Sequence, residues 1–555
     1  MNMFPWLGKQ SEKPDHPMSS MAEAEKLLAE LPKDDPLKAL EEITAWLTSV
    51  TDTRNYHAEL RTQLVMLLDE TGQPFHADLL KRYLAAPHLQ DFQGIHLWLG
   101  PHKFARELAR AYEECIIPYQ RKLVEPYKIH ETLPLLCVRL LRAAAEQMKL
   151  ELMRYIDVES SVWERMFRCY NIAEANQLVG TMIFAYPGYA LHTSPQHEFL
   201  RALILHESSP GTLSPDQIEV CFRIAGRMVS HFDLTANPDA ASEYYIDLNQ
   251  PHAPKLLDDT VTPTPGTRYF SAFRALPKIS EIIKQHQHGA FVEERRFGSE
   301  FTPEGKLTAL KHLLVYWNKH HPYRLQQRRG ISTNIEVVHS FRLISKLVTR
   351  IDLGQVAGLS EKDTSSLHAR SKLGIVAEGK VGYTSEIWTV VDVSVGGLGG
   401  MIPKSAGTWV KIGDLCGLKA QNTPLWWVGV IRRLHADHQG IMHVGIEILA
   451  KKSLSVWLRV LGKGAERVSN WETSSGSFQY DYYPAILLPD AHNSYMKGTM
   501  LLESGNYVPG KIYEVMLGEK SREIELTGLL AEGKDYEWVT FRWLIAASER
   551  WQFQH

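Results

Sequence analysis

The chain has 555 residues, 44% of them hydrophobic and 23% charged, with a formal net charge of -3. That length exceeds one hydrophobic core and implies about three folding units of ordinary globular composition. The near-zero charge excludes a general attraction to nucleic acid or anionic membrane, so any anion site must be local.

The opening residues, MNMFPWLGKQSEKPDHP, lack the basic-then-apolar pattern of a signal peptide. No run approaches the ~20 apolar residues of a membrane helix. Five cysteines (Cys115, Cys137, Cys169, Cys221, Cys416) are scattered, with no CxxC pair. This fits a reducing compartment, and the expected location is the cytoplasm.

Helices dominate the first two hundred residues. Asp35 and Pro36 open one as cap and first-turn proline, with Leu37, Leu40 and Leu47 as its apolar stripe. Further helices are expected over 20–31, 57–70, 75–86, 102–125 and 132–154. Ser214-Pro215-Asp216-Gln217 forms a capping box ahead of Ile218, Cys221, Phe222 and Ala225. The expectation is an all-α bundle or solenoid over 1–233, with no fixed repeat period.

Residues 234–319 read as a linker and helical connector. The stretch 234–268 is rich in proline, threonine and aspartate, which favour turns, with a strand-containing excursion around Tyr244–Leu248 as the other reading. Thr302-Pro303-Glu304 then starts a helix carrying Leu307, Leu310, Leu314 and Trp317, which ends at His320-His321-Pro322.

Beyond residue 330 the apolar period changes to two. Strands are expected at 335–337, 387–391, 425–431 and 442–448, then at 485–488, 500–503, 512–517, 523–529 and 538–543. This suggests two small antiparallel barrels or sandwiches, at 320–470 and 471–555, so the chain as a whole is an α+β multidomain protein.

Two fragments in this half carry recognisable chemistry. Arg324, Arg328 and Arg329 lie in a loop between a helix and a strand. Their planar guanidinium forks suit phosphate oxygens and the O6/N7 edge of guanine. Asp392, Ser394, Gly396 and Gly397 lie where a strand runs into a glycine-rich turn. A carboxylate matches the guanine N1–H and N2–H pair, a serine hydroxyl can donate to phosphate or orient the turn, and the glycines let backbone approach a ligand.

RxxxR followed by [D/N]xSxxG resembles the signature of the PilZ family. Arg324 and Arg328 match the first motif; Asp392, Ser394 and Gly397 match the second. Trp427-Val-Gly-Val-Ile-Arg-Arg and His443-Val-Gly-Ile-Glu-Ile-Leu resemble the family's closing strand pair. The resemblance implies a six-stranded antiparallel barrel over about 320–450 that binds cyclic di-GMP. It therefore implies a second-messenger receptor, not an enzyme, passing ligand level to a protein partner through the helical half. The sequence departs from the family in the sixty-four positions from Arg328 to Asp392, read as an insertion at 341–385 with one helix (Phe341–Thr349) and a polar loop. The second barrel lacks both motifs and reads as a degenerate copy.

Other chemistries lack support. The run from Gly396 to Ser405 fails as a P-loop because Pro403 stands before Lys404. No HExxH and no GxSxG occurs, so catalytic and metal residues are expected to be absent. The rival reading is a helical scaffold whose PilZ-like barrel is structural and binds no nucleotide.

Overall fold

A computed structural model describes residues 15–544 except 55, 87–91, 122, 124–125, 189–190, 288–296, 320–328, 356–382, 404–405, 422, 438, 461–481, 491–497 and 518–519. The chain divides into two compact units, residues 1–325 and 326–555.

The first unit is a helix bundle. Its helices are α1 (Met21–Ala29), α2 (Pro36–Asp52), α3 (Ala58–Ala85), α4 (Phe92–Gln120), α5 (Pro126–Glu131), α6 (Leu133–Met153) and α7 (Ser160–Ala175). A small ribbon of β1 (Ile183–Phe184) and β2 (His192–Thr193) precedes α8 (Pro195–Glu207) and α9 (Pro215–Met228). α6 is buried along almost its whole length and packs against α4, α7 and α8. The cap signals hold. Asp35 accepts from Lys38 N at 3.2 Å, and Ser214 N donates to Gln217 Oε1 at 3.0 Å.

Two sequence expectations fail here for identifiable reasons. The helices expected at 57–70 and 75–86 form one helix, α3, which runs through Pro74. A mid-helix proline removes a hydrogen bond and costs about 3 kcal/mol. The packing on both sides of it offsets that cost: Leu68, Leu79 and Tyr83 are buried, and Gly72 lies under the Phe104 ring. Of the two readings of 234–268, the linker fails and the strand-containing one holds. This part of the chain contains a three-stranded sheet of β3 (Tyr244–Asp247), β4 (Gln250–Leu256) and β5 (Thr267–Phe270), with β3 in the centre. Tyr244, Ile246 and Phe270 are buried in the same core as the helices. α10 (Leu276–Gln287) and α11 (Pro303–Tyr316) complete the unit, and Thr302 caps α11 through Gly305 N at 3.1 Å.

The second unit holds two closed six-stranded antiparallel barrels. The first uses β6 (Arg329–His339), β7 (Glu386–Val393), β8 (Gly397–Ile402), β9 (Leu415–Ala420), β10 (Trp427–Ala436) and β11 (Met442–Ala450), with α12 (Phe341–Gln355) between β6 and β7. The second uses β12 (Leu454–Val460), β13 (Tyr482–Leu488), β14 (Thr499–Glu503), β15 (Ile512–Leu517), β16 (Lys520–Glu532) and β17 (Tyr536–Leu544). β12 belongs to the second barrel, so the boundary expected at 470/471 falls before residue 454 instead. Numbered from its own first strand, each barrel closes in the same circular order, 1-2-3-6-5-4. The second barrel therefore repeats the topology of the first without its motifs.

α12 seals the joint between the barrels. Phe341, Ile344, Leu347 and Val348 pack with Val338 and Val430 of one barrel and Ile486, Leu501 and Tyr536 of the other. Phe341 N donates to Asp535 at 2.6 Å, and the Tyr536 hydroxyl donates to Gly413 O at 3.1 Å. The helix of the expected insertion is thus core, not a free partner surface. The polar loop expected after it lies mostly outside the described residues.

Candidate ligand-binding site

Strand register brings Arg329 beside the second sequence fragment. β6 and β7 are antiparallel, with Arg329 opposite Val393 and Gly330 opposite Asp392. Arg324 and Arg328 lie outside the described residues. β6 begins at Arg329, one residue from the strand position that faces Asp392. Both strands are irregular here, with register shifts at Gly330/Thr333 on β6 and Val390/Asp392 on β7. Such bulges turn side chains out of a regular ladder.

The Asp392 turn is tightly held. Ser394 N donates to Gly397 O at 2.8 Å, and its hydroxyl donates to the same oxygen at 3.2 Å. Ile448 N donates to Gly396 O at 2.9 Å. Ser394 therefore orients the turn here, which leaves Val395 exposed at its tip.

A Cβ on Gly397 would sit 2.6 Å from the Ile446 carbonyl oxygen, so its bareness serves the approach of β8 to β11. Gly397–Ile402 is not a turn; it is strand β8 itself. Gly399 is the glycine that shapes the site. A Cβ there would fall 2.7–2.9 Å from the Asp392 carboxylate, which lies over it.

From Asp392 a row of paired residues crosses the outside of the barrel. Asp392 pairs with Gly399, Gly399 with Gly445, and Gly445 with Arg433. Leu398, Ile446 and Leu434, their neighbours, are buried in the barrel, so this row faces outward. Gly399 lies beneath the carboxylate, and the half-buried Gly445 separates it from an exposed guanidinium. The next outward row brings Thr389, Met401, His443 and His435 into line. The two imidazoles are 6.1 Å apart, and His443 lies 3.2 Å from Asp437 Oδ2.

Arg433 was missed in the sequence because it belongs to neither motif, although alternation from Val428 and Val430 through Leu434 and Ala436 puts it on the outer face. A register shift between Ile431 and Arg433 makes Arg432 the extra residue. Both arginines then leave the core, Arg432 pairing with Glu447 at 2.7 Å. An unbroken Ile-Arg-Arg-Leu run, which cannot alternate about two arginines, was the available signal.

Two family models match the chain. One describes the N-terminal domain of the cyclic di-GMP receptor FimW and matches residues 22–239. The other describes the middle PilZ domain of that receptor and matches residues 357–454. Together they match more than half of the chain. The second match contains Asp392, Ser394, Gly396, Gly397 and Arg433; the arginine loop precedes it. No curated protein matches the chain.

Proposed function

Because the chain belongs to the family of the cyclic di-GMP receptor FimW, it is a PilZ-domain receptor for cyclic di-GMP, and we propose that it holds this ligand where the arginine loop meets the Asp392 turn. The observation that carries this reading is the pairing of Arg329 with Val393 and of Gly330 with Asp392. It tethers the end of the RxxxR loop beside the second motif.

In this reading Arg324, Arg328 and Arg329 supply forks to the phosphates and to one guanine. Asp392 accepts from guanine N1–H and N2–H. A base laid over Gly445 would meet Arg433 at its O6/N7 edge. Ser394, Gly396 and Gly397 fix the turn that aims the carboxylate. A cyclic dinucleotide is thereby met by cations on both sides and by one acceptor selective for guanine.

The scaffold reading loses its ground to the family match. How the bound state reaches a protein partner is a further part of the proposal. A ligand shifts an equilibrium only through different affinity for its two states. The partner surface is assigned to the helical unit.

Anisotropy titration with fluorescent cyclic di-GMP tests the site. Each charge-assisted hydrogen bond is worth about 1.5–3 kcal/mol, so Asp392→Ala and Arg433→Ala should each weaken binding about 10- to 100-fold. Unlabelled cyclic di-AMP, which lacks the guanine N1–H and N2–H donors, should compete poorly. Unchanged affinity in Asp392→Ala would remove the proposed guanine acceptor.

A further inference from the structure

The helical unit contains a cavity of about 880 Å³, within the size range of small-molecule sites. Leu80, Leu84, Phe104 and Leu108 form an apolar wall. Across from it stand buried charges. Lys149 Nζ lies 2.6 Å from Glu146 and 2.6 Å from Glu219. Arg223 pairs with Glu219 at 2.7 Å and Glu300 at 2.8 Å, and Arg142 with Glu198 at 2.7 Å. Each of these cations has a carboxylate at hydrogen-bonding distance.

Arg201 does not. Its Nε donates to Phe222 O at 3.2 Å, and its nearest carboxylate oxygen, Glu198 Oε2, is 3.6 Å away. Its two terminal amino groups have no hydrogen-bond acceptor among the described residues. The guanidinium is nevertheless firmly seated. It lies 3.6 Å over the Phe222 ring, in a slot that Gly226 opens one turn further along α9. A Cβ on Gly226 would fall 2.9 Å from Nε and 3.2 Å from Cζ. Burial draws this guanidinium below its ordinary pKa, which Glu198 and the other acids only partly oppose. His76 lines the same cavity and is 6% exposed; its Nε2 has no hydrogen-bond partner and stands 3.5 Å from Glu146 Oε1.

A seated cation with four unused N–H donors, facing a cavity with an apolar wall, matches one kind of guest. We infer that this cavity is a second binding site, which takes a small organic anion with a carboxylate or phosphate head on Arg201 and an apolar body against Leu80, Leu84, Phe104 and Leu108. Two oxygens of such a head accept both terminal amino groups of a guanidinium fork. His76 Nε2 is a further contact for the head or its ester oxygen. This site lies wholly in the first unit and does not rest on the assignment of the cyclic di-GMP site.

The test uses the full chain, with phenyl phosphate and phenylacetate as probes and benzyl alcohol as the neutral control. Calorimetric titration should show binding of at least one anion and none of the alcohol, and the stronger probe identifies the preferred head. Arg201→Gln should weaken that binding at least tenfold. Leu84→Trp, which fills the body side, should weaken it as well. Both variants should keep the wild-type helical circular-dichroism signal and thermal midpoint, which shows that the helical unit folds. No binding of either anion to the wild type, or equal binding to Arg201→Gln, would overturn the inference and leave the charges as a structural ion network.

Discussion

Gly397 and Gly399 stand two positions apart on β8, and their surroundings predict opposite effects of the same substitution. In Gly397→Ala the new Cβ would meet a backbone carbonyl at 2.6 Å, so strands must move. Overpacking of this kind costs about 1–3 kcal/mol. A lower denaturant midpoint is expected. In Gly399→Ala the new Cβ would meet only the mobile end of Asp392. Stability should change little while cyclic di-GMP affinity falls, because the carboxylate is pushed off its place. Equal midpoints for the two variants in urea would contradict this distinction. Asp414 gives a prediction in pH. Burial pushes its carboxyl up to about 6, against the weaker pull of Lys411, with Asp535 adding to the rise. The folded state therefore holds this proton more tightly than the unfolded chain does. Its favourable contribution is complete below about pH 4 and is lost as pH rises to about 6. Asp414→Asn should match wild type near pH 3.5 and exceed it at pH 7 by on the order of 2 kcal/mol. Thermal unfolding across that range checks the sign; a constant gap would refute it.

At the scale of elements, α12 carries the clearest mechanical prediction. Phe341 is fully buried among residues of both barrels. Phe341→Ala should cost about 3–5 kcal/mol. The two barrels should lose stability together, in one transition seen alike by tryptophan fluorescence and circular dichroism. Separate transitions would mean that the helix does not couple them. The start of this helix was legible in the sequence, as were the capped starts of α2, α9 and α11, because caps and apolar stripes are local signals. The [D/N]xSxxG turn was legible for the same reason. Three features were not. α3 runs through Pro74 because distant packing, invisible to a local reading, offsets the local cost. β8 hid behind its glycines, which disfavour strands unless a neighbouring backbone must come close. Arg433 lay on the outer face that alternation allows, but no motif marked it. The first two misses occurred where tertiary contact overrules a local preference.

For the whole molecule, the sequence conveyed the order of parts better than their limits. A helical region followed by two barrels was legible from the change of apolar period. The strand around Tyr244–Leu248 was one of two readings of the sequence, but its partners β4 and β5 and the placement of β12 were not legible, because strand pairing depends on partners elsewhere in the chain. The shared circular order of the barrels is a topological likeness that no motif marks. The proposed coupling predicts that saturating cyclic di-GMP changes the pair-distance distribution of the full chain in solution scattering; an unchanged distribution would remove that part of the account. The most direct test of the central claim is titration calorimetry of the full chain with cyclic di-GMP, beside the Arg324→Ala/Arg328→Ala double variant. The account predicts saturable, micromolar or tighter binding by the wild type and loss of that binding in the variant. Wild-type binding that survives in the double variant would contradict the assigned site, and no binding by either protein would contradict the receptor itself.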